Sequence, residues 1–266
     1  MPGDHSVPFF VITRAGVSLD GAPVDEDWLR LRAEIFRTYF VPAVNAQTDQ
    51  DFTLLVCFDR SVSETIVEDF TRTIACRFEV VKTGHPWMDA VTERFARRGE
   101  IITATCDSDD ALARDYVEVA RRSVRPDRAL NFQQVVRYSP QTGRFAMKPK
   151  LSNPFILRHS SIGEWVLQED GVHGTVAQVV PTDDVWFPPM GLQVVHGRNV
   201  YNKTWPYVPP LPAGFVRARF AVDFPKVRTP REHRADLVRY LLDPRGFLLL
   251  IRRKGLRAAV RTLLRS

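Results

Sequence analysis

Short apolar runs alternate with amphipathic segments through the first half of the sequence. The apolar runs are rich in β-branched and aromatic residues, which favours buried strands, and they cover residues 7–13, 52–59, 78–81 and 101–105. Between and after them, apolar residues recur at helical spacings over residues 25–40, 63–74, 89–98 and 111–123. This alternation predicts an α/β fold with a mostly parallel sheet, right-handed crossovers and flanking helices.

Two residues mark predicted helix boundaries in this half. Pro42 follows the helix predicted over residues 25–40, and proline lacks the backbone N–H that a continuing helix needs. We therefore expect that helix to end or kink there. Ser63 precedes the next helix and is expected to cap it.

The second half of the sequence has a different pattern. Residues 130–138 and 144–147 favour strands, and the polar turn between them contains Pro140 and Gly143, which predicts a hairpin. Further strands are predicted at residues 155–157 and 164–167. Asn153 precedes Pro154, which favours an extended backbone. This half is therefore expected to be more antiparallel than the first.

Composition adds limits on size and compartment. With 266 residues, the chain can form one large α/β domain with an appendage. Its three cysteines form no Cys-x-x-Cys pair, which argues against a disulfide framework and against a zinc site. We find no signal-peptide pattern and no apolar run long enough to span a membrane. These features favour a cytoplasmic protein.

The positive charge is concentrated at the C-terminal end. The whole chain has a net charge of +6, whereas residues 231–266 contain ten Arg or Lys against three acids. Apolar residues alternate with these cations, so the segment is predicted to be a helical, amphipathic tail. It is expected to bind an anionic membrane surface or to pack on the core with its cations in solvent. Nucleic acid is not an expected partner, because aromatic stacking residues are absent after Phe247.

The most distinctive chemistry is an acidic cluster after the strand predicted at residues 101–105. Asp107, Asp109 and Asp110 place three carboxylates within four residues. Acids at this density repel one another unless a cation or backbone N–H groups neutralise them, and Mg²⁺ often combines carboxylates with substrate phosphates. The cluster therefore predicts a metal-diphosphate site. The simpler alternative is a solvated turn in which Asp109 or Asp110 caps the following helix.

Two other strands are predicted to end on charged residues. Arg14 follows the first strand, and Asp59 ends the second. Ligands of parallel α/β sheets bind at the carboxyl ends of the strands, so both side chains are candidates to contact a ligand. The alternatives are a surface arginine and a turn acid.

Several segments together resemble the rhamnosyltransferase family of GT-A glycosyltransferases. They lie in family order across residues 7–205: Thr13-Arg14, Tyr39 to Pro42 with Ala46 to Phe52, Phe58-Asp59, Asp107 to Leu112, Asn153 to Phe155, and Leu192 to Gly197 with Asn199. Cys106 and Gly191 depart from the pattern, since a larger apolar residue and a Trp are expected there. The resemblance implies a Rossmann-like GT-A domain over residues 1–230, with a nucleotide-binding half (1–125) and an acceptor half (126–230).

The resemblance also implies a set of ligand contacts. Asp109 would ligate Mn²⁺ or Mg²⁺, Asp107 would reach the metal or ribose through water, and Asp110 would support the site. The nucleotide diphosphate sugar would further contact Thr13, Arg14, Asp59, Asn153, His173 and His196. His196 is also a candidate metal ligand. His5, His85 and His233 are interpreted as ordinary surface or packed residues.

An inverting transfer needs a carboxylate to deprotonate the acceptor hydroxyl. The candidates are Glu169, Asp170, Asp183 and Asp184, and Asp170 is preferred because Glu169-Asp170 resembles the acidic pair of many inverting GT-A enzymes. A retaining mechanism would need no such base.

The predicted function is metal-dependent transfer of a sugar from a nucleotide diphosphate to a glycan or lipid-linked acceptor in cell-envelope polysaccharide synthesis. The protein is expected to be peripheral on the inner face of the plasma membrane. One alternative is a nucleotidyltransferase, although Gly16 and Gly21 are too sparse for its early glycine-rich loop. The other is a non-enzymatic membrane adaptor with a basic tail.

Overall fold

A computed structural model describes residues 7–17, 24–149, 153–168, 175–186, 188–196 and 209–242. Its strands, in chain order, are β1 Phe9–Gly16, β2 Thr53–Asp59, β3 Phe78–Thr83, β4 Ile101–Thr105, β5 Ala111–Leu112, β6 Ala129–Phe132, β7 Gln134–Ser139, β8 Arg144–Pro149, β9 Leu157–Ser160, β10 Thr182–Val185 and β11 Gly191–Val194. Its helices are α1 Glu26–Ile35, α2 Val41–Asn45, α3 Glu64–Thr71, α4 Met88–Phe95, α5 Tyr116–Ser123, α6 Val176–Val179, α7 Ala213–Arg219 and α8 Pro230–Leu242.

The larger sheet has seven strands in the order β10-β6-β9-β4-β1-β2-β3. β9 is antiparallel to both of its neighbours, and the other pairs are parallel. The carboxyl ends of β10, β6, β4, β1, β2 and β3 therefore share one edge. A smaller sheet has the order β5-β11-β7-β8. The α/β fold with a mostly parallel sheet is confirmed.

The central strands form because their side chains are buried on both faces. The first six residues of β2 and all five of β4 are buried, as parallel strands covered by helices require. Phe36 stacks on Phe40 at 4.7 Å between ring centroids, and Phe70 meets Phe36 at 5.4 Å and Phe58 at 5.2 Å. This aromatic group packs the helices on one side of β2.

The helix predicted over residues 25–40 differs from expectation at its end. A π-helical segment, Phe36–Phe40, links α1 to α2, and the backbone stays helical through Pro42 to Asn45. Pro42 lies in the first turn of α2, where its missing N–H is tolerated. The helix therefore does not end at Pro42, and the alternative of a kink there stays a prediction.

Three further predictions need correction. Ala111–Leu112 forms β5 and pairs antiparallel with Gly191 and Leu192, so the helix predicted from residue 111 begins only at Tyr116. Residues 130–138 divide at Gln133 into β6 and β7, which belong to different sheets. Residues 164–167 form a loop rather than a strand. The apolar pattern there reflects burial, since the Trp165 ring lies in the core and its Nε1 donates to Thr92 Oγ1. The hairpin of β7 and β8 is confirmed.

The chain divides into two compact units. The first contains residues 1–135, 150–192 and 220–223, and the second contains residues 136–149, 193–219 and 224–266. Inside the second unit, Phe224 contacts the rings of Tyr138 and Phe145, each at 4.9 Å, and the Tyr138 hydroxyl donates to the carbonyl of Lys226 at 2.8 Å. The linear division at residues 125 and 230 stays a prediction.

The basic tail is described only as far as α8. Within the described part of the chain, no helix has the length and apolar character that crossing a bilayer requires. The remainder of the predicted tail, residues 243–266, lies outside the described residues, and its membrane contact stays a prediction.

Gly191 offers a test of packing in the first unit. A Cβ added there would lie 2.1 Å from the Phe155 ring, so Gly191→Ala should destabilise the fold by about 1–3 kcal/mol. Gly84→Ala is the control, since no atom lies within 4 Å of its added Cβ. Thermal unfolding should show a lower melting temperature for Gly191→Ala and little change for Gly84→Ala. Equal melting temperatures would contradict the packing described here.

Candidate metal centre

The acidic cluster is held in a tight turn at the end of β4. The Cys106 amide donates to the Ile12 carbonyl at 3.1 Å, which extends the pairing with β1, and the Asp110 amide donates to the Asp107 carbonyl at 3.0 Å. This turn brings together one carboxylate oxygen from each of Asp107, Asp109 and Asp110, all within 4.8 Å of one another. Oxygens so spaced can surround one divalent cation, since such ions bind oxygen at about 2.0–2.6 Å.

The capping alternative for this cluster was wrong. Asp110 is followed directly by the strand β5, and α5 begins at Tyr116 with Asp115 in the N-cap position. Asp109 and Asp110 therefore do not begin a helix. They are also buried, with exposed fractions of 7% and 1%, so the cluster is not a solvated turn.

Two arginines neutralise part of the acidic charge. Arg14 Nη2 lies 2.7 Å from Asp107 Oδ1, and Arg32 Nη1 lies 3.0 Å from Asp109 Oδ2. Arg32 Nη2 also donates to Ser108 Oγ at 2.5 Å. A guanidinium group thus lies against two of the three clustered acids.

Each arginine also lies against an indole ring. The Arg14 guanidinium carbon is 5.6 Å from the Trp87 ring centroid, and that of Arg32 is 5.1 Å from Trp28. Cation–π contact of this kind restricts where the guanidinium can point. Both arginines are therefore oriented at the site by their own neighbours as well as by the acids.

The sequence pattern did not indicate Arg32 as a residue of this site. Arg32 lies on α1, 76 residues before Ser108, in a helix that also contains Arg30. The available signal was weak: Trp28 and Arg32 are separated by four residues, so they share a helix face. Nothing in that spacing indicates the acids that Arg32 contacts.

Burial also affects the cysteine inside the cluster. Desolvation raises the pKa of the Cys106 thiol well above its ordinary value, and the neighbouring charges of Asp110, Asp107 and Asp109 raise it further. Cys106 is thus a neutral, packed side chain rather than a thiolate ligand.

Thr13 lies within β1 and Asp59 ends β2, and their environments differ. Thr13 is fully buried one residue before Arg14, and its Oγ1 has no hydrogen-bond partner among the described residues. Asp59 Oδ1 accepts from the Ser61 amide at 2.9 Å and from its hydroxyl at 2.7 Å. These bonds hold the pKa of Asp59 below its ordinary value. Asp59 therefore stabilises its own turn, and its nucleotide contact stays a prediction.

Asn153 is fully buried and hydrogen-bonded within the protein. Its Nδ2 donates to Asn131 Oδ1 at 2.9 Å and to the Phe132 carbonyl at 2.7 Å, while its Oδ1 accepts from the Phe155 amide at 2.9 Å. Such contacts fix the Asn-Pro-Phe turn beside β6. They account for Asn153 as a residue that positions the loop, and direct contact with a ligand is not needed to explain it.

The carboxylates considered as catalytic base fall into two groups. Glu169 and the preferred Asp170 lie outside the described residues, as does His173, and their roles stay predictions. Asp183 forms ion pairs with Arg125 and Arg128. Hydrogen bonds from these two arginines hold the pKa of Asp183 well below its ordinary value, which makes it a poor base. Asp184 is exposed and accepts from Asn131 Nδ2 at 2.9 Å.

His196 lies in the second unit, two residues beyond β11, and is partly exposed. The neighbouring Val195 amide donates to the Tyr138 carbonyl at 2.8 Å, which fixes the backbone before the histidine. The metal or diphosphate contact of His196 stays a prediction.

Comparison with known proteins agrees with the resemblance found in the sequence. Residues 22–141 match the model of the family described as "Putative rhamnosyl transferase". This segment contains the acidic cluster together with Arg32 and Asp59, and the match agrees with the resemblance. No curated protein matches the chain.

Solved structures with a similar fold are distant. The Staphylococcus aureus TarS fragment 1–349 is 11% identical with a TM-score of 0.42, and the alignment covers 71% of this chain but 60% of that one. A longer S. aureus TarS structure is 11% identical with a TM-score of 0.39, and the alignment covers 71% of this chain and 37% of that one. The inositol-1-phosphate CTP transferase from T. maritima is 8% identical with a TM-score of 0.41, and the alignment covers 72% of this chain and 91% of that one. These values are too low to assign an activity.

Binding of Mn²⁺ tests the cluster directly. Asp109→Asn removes a candidate ligand and should weaken Mn²⁺ binding at least about tenfold, measured by electron paramagnetic resonance of free Mn²⁺. Arg32→Gln should strengthen Mn²⁺ binding without nucleotide, because it removes a cation that competes for Asp109. Asp223→Asn is the control, at an exposed acid of the same unit. Native-like binding by Asp109→Asn would contradict the proposed ligand set.

The ion pairs of Asp183 predict a pH-dependent contribution to stability. Because the folded-state pKa of Asp183 is lowered, its ionised form stabilises the fold above its unfolded pKa of about 3.9, and this contribution is lost as the pH falls below that value. Asp183→Asn should melt at a lower temperature than native protein at neutral pH, and the difference should shrink below about pH 4. A difference that stays constant across this range would refute the assignment.

Proposed function

We propose that this protein is a glycosyltransferase that transfers a sugar from a nucleoside diphosphate donor to a glycan or lipid-linked acceptor, with Mn²⁺ or Mg²⁺ bound at the acidic cluster. The observation that carries the proposal is the grouping of Asp107, Asp109 and Asp110 at the carboxyl end of β4, between two arginines. The family match over residues 22–141 supports sugar transfer as the chemistry.

The cation fits the residues present because one carboxylate oxygen from each of three acids lies within 4.8 Å of the others. When bound, a divalent cation neutralises charge that develops on the departing diphosphate. Asp109 and Asp107 are the proposed principal ligands, and Asp110 supports them. Their burial strengthens electrostatic attraction, since the local dielectric is lower than that of water.

Arg14 and Arg32 are proposed to bind the diphosphate once the cation takes their acidic partners. A guanidinium group donates two parallel hydrogen bonds to phosphate oxygens, so each arginine can exchange a carboxylate for a phosphate. Trp87 and Trp28 keep the guanidinium groups at the site during this exchange. The unpartnered Thr13 hydroxyl, one residue away from Arg14, is the proposed contact for the nucleotide.

The other features of the function are proposed from the sequence. Asp170 is the proposed base, with His173 and His196 as further contacts to phosphate or metal. The basic tail after residue 230 is proposed to hold the enzyme at an anionic cytoplasmic membrane surface, where a lipid-linked acceptor for a cell-envelope polysaccharide would be found.

A nucleotidyltransferase is the second candidate, because it also uses paired aspartates and a metal. The two activities differ in product. A glycosyltransferase releases a nucleoside diphosphate from a nucleotide sugar, whereas a nucleotidyltransferase joins a nucleoside triphosphate to a sugar phosphate and releases pyrophosphate.

A donor screen separates these activities. The screen contains UDP-, GDP- and dTDP-sugars, with rhamnose donors among them. In the presence of Mn²⁺, native protein should release nucleoside diphosphate from at least one of them. Asp109→Asn should lower this rate at least about 100-fold because charge on the leaving group is no longer stabilised, while Asp223→Asn should leave it unchanged. Pyrophosphate release from a nucleoside triphosphate and a sugar phosphate would instead establish the second candidate.

A further inference from the structure

An exposed indole lies at the same sheet edge as the acidic cluster. Trp186 follows β10, and 55% of its surface is exposed, the largest value for any aromatic side chain in the described residues. β10 runs parallel to β6, so Trp186 lies at the carboxyl edge that ligands of α/β sheets use. A tryptophan left this exposed is unusual, because burying its ring would be favourable.

Polar side chains lie beside this indole on the same strand. Side chains two residues apart in a strand point to the same face, which places Asp184 with Trp186. The Asp184 carboxylate accepts a hydrogen bond from Asn131 Nδ2 at 2.9 Å, and Asn131 in turn accepts from Asn153 Nδ2 at 2.9 Å. Asp184 is therefore an exposed acceptor oriented by a buried amide network.

Gln133 provides a second, independent observation. It follows β6, and its amide donates to the Val185 carbonyl at 2.9 Å, which places it opposite Trp186 across the strand pair. Only 5% of Gln133 is exposed, yet its Oε1 has no hydrogen-bond partner among the residues that the structure describes. A buried carbonyl oxygen without a donor is unfavourable, so this site is suited to a ligand that supplies a hydroxyl or amide hydrogen.

We propose that Trp186, Asp184 and Gln133 form a pyranose-binding site that holds the acceptor sugar. The indole face would stack on the apolar C–H face of a sugar ring, while the Asp184 carboxylate and the Gln133 carbonyl accept hydrogen bonds from ring hydroxyls. Arg125 and Arg128 belong to the ion-pair group of Asp183, which lies on the opposite face of β10. The recognised group is accordingly a neutral ring with hydroxyl donors, rather than a phosphate.

The position of this site agrees with an acceptor, and that part of the proposal rests on the proposed function. β10 and β4 are separated by β6 and β9 in the sheet, a distance of about 14 Å for three strand spacings. The amide network from Asp184 leads through Asn153 to the turn whose Pro154 carbonyl accepts from Thr105 Oγ1, directly before the acidic loop. Acceptor and donor would therefore occupy neighbouring parts of one edge in the first unit.

Binding of simple sugars tests this site without a donor or a metal. Saturation-transfer NMR with methyl glucoside, galactoside, mannoside and rhamnoside should show at least one of them bound to native protein through one ring face. Trp186→Ala should weaken binding about tenfold or more, because most of the stacked area is lost. Trp186→Phe should retain most of the binding, and Asp184→Asn and Gln133→Leu should each weaken it.

Ile162→Ala is the control, since it removes another exposed apolar side chain, at 67% exposure, from a turn. Equal saturation transfer to native protein and Trp186→Ala would overturn the site, as would no transfer to any of the four glycosides. The donor screen is a separate readout. Glycoside binding without nucleoside diphosphate release would support the sugar site and contradict the proposed transfer. Nucleoside diphosphate release without Trp186-dependent glycoside binding would support the transfer and contradict the sugar site.

Discussion

The site depends on one electrostatic constraint, the neutralisation of three carboxylates packed at the end of a buried strand. Asp107, Asp109 and Asp110 cannot all remain ionised so close together without compensating positive charge. Arg14 and Arg32 supply part of that charge from two different elements, β1 and α1. The pairing of these elements with the β4 loop thus stabilises the protein without a ligand.

The surrounding fold keeps that loop in place. Gln47 Nε2 donates to the carbonyls of Ala43 and Ala113, both at 2.8 Å, and its Oε1 accepts from the Val117 amide at 3.1 Å. Arg121 is buried against Asp49 and donates to the carbonyls of Val7 and Asp51. These bonds fasten the segments that follow the acidic loop to the start of β1 and β2. A loop held from both sides can present its carboxylates in a reproducible geometry.

The features of the fold and the site that depend on neighbouring residues in the sequence could be predicted. β2 and β4 are short runs rich in apolar and β-branched residues, and the density of acids after β4 indicated a cation site. The features that escaped prediction depend on partners distant in sequence. β5 exists because Ala111 and Leu112 pair with Gly191 and Leu192, which overrides their helical pattern. In the sequence, Arg32 cannot be distinguished from other helix arginines, because its contact with Asp109 forms only in the folded protein. The unpaired Oε1 of Gln133 likewise follows from its burial in the fold.

We propose that the acidic cluster exchanges its arginine partners for a cation and the donor diphosphate. A crystal structure with Mn²⁺ and a nucleoside diphosphate, with data collected to locate the metal by anomalous scattering, tests it most directly. We expect a manganese peak about 2.0–2.3 Å from Asp109 and from at least one of Asp107 and Asp110, with Arg14 and Arg32 contacting phosphate oxygens. A nucleotide bound with no manganese at the cluster, and with both arginines still paired to their aspartates, would contradict it.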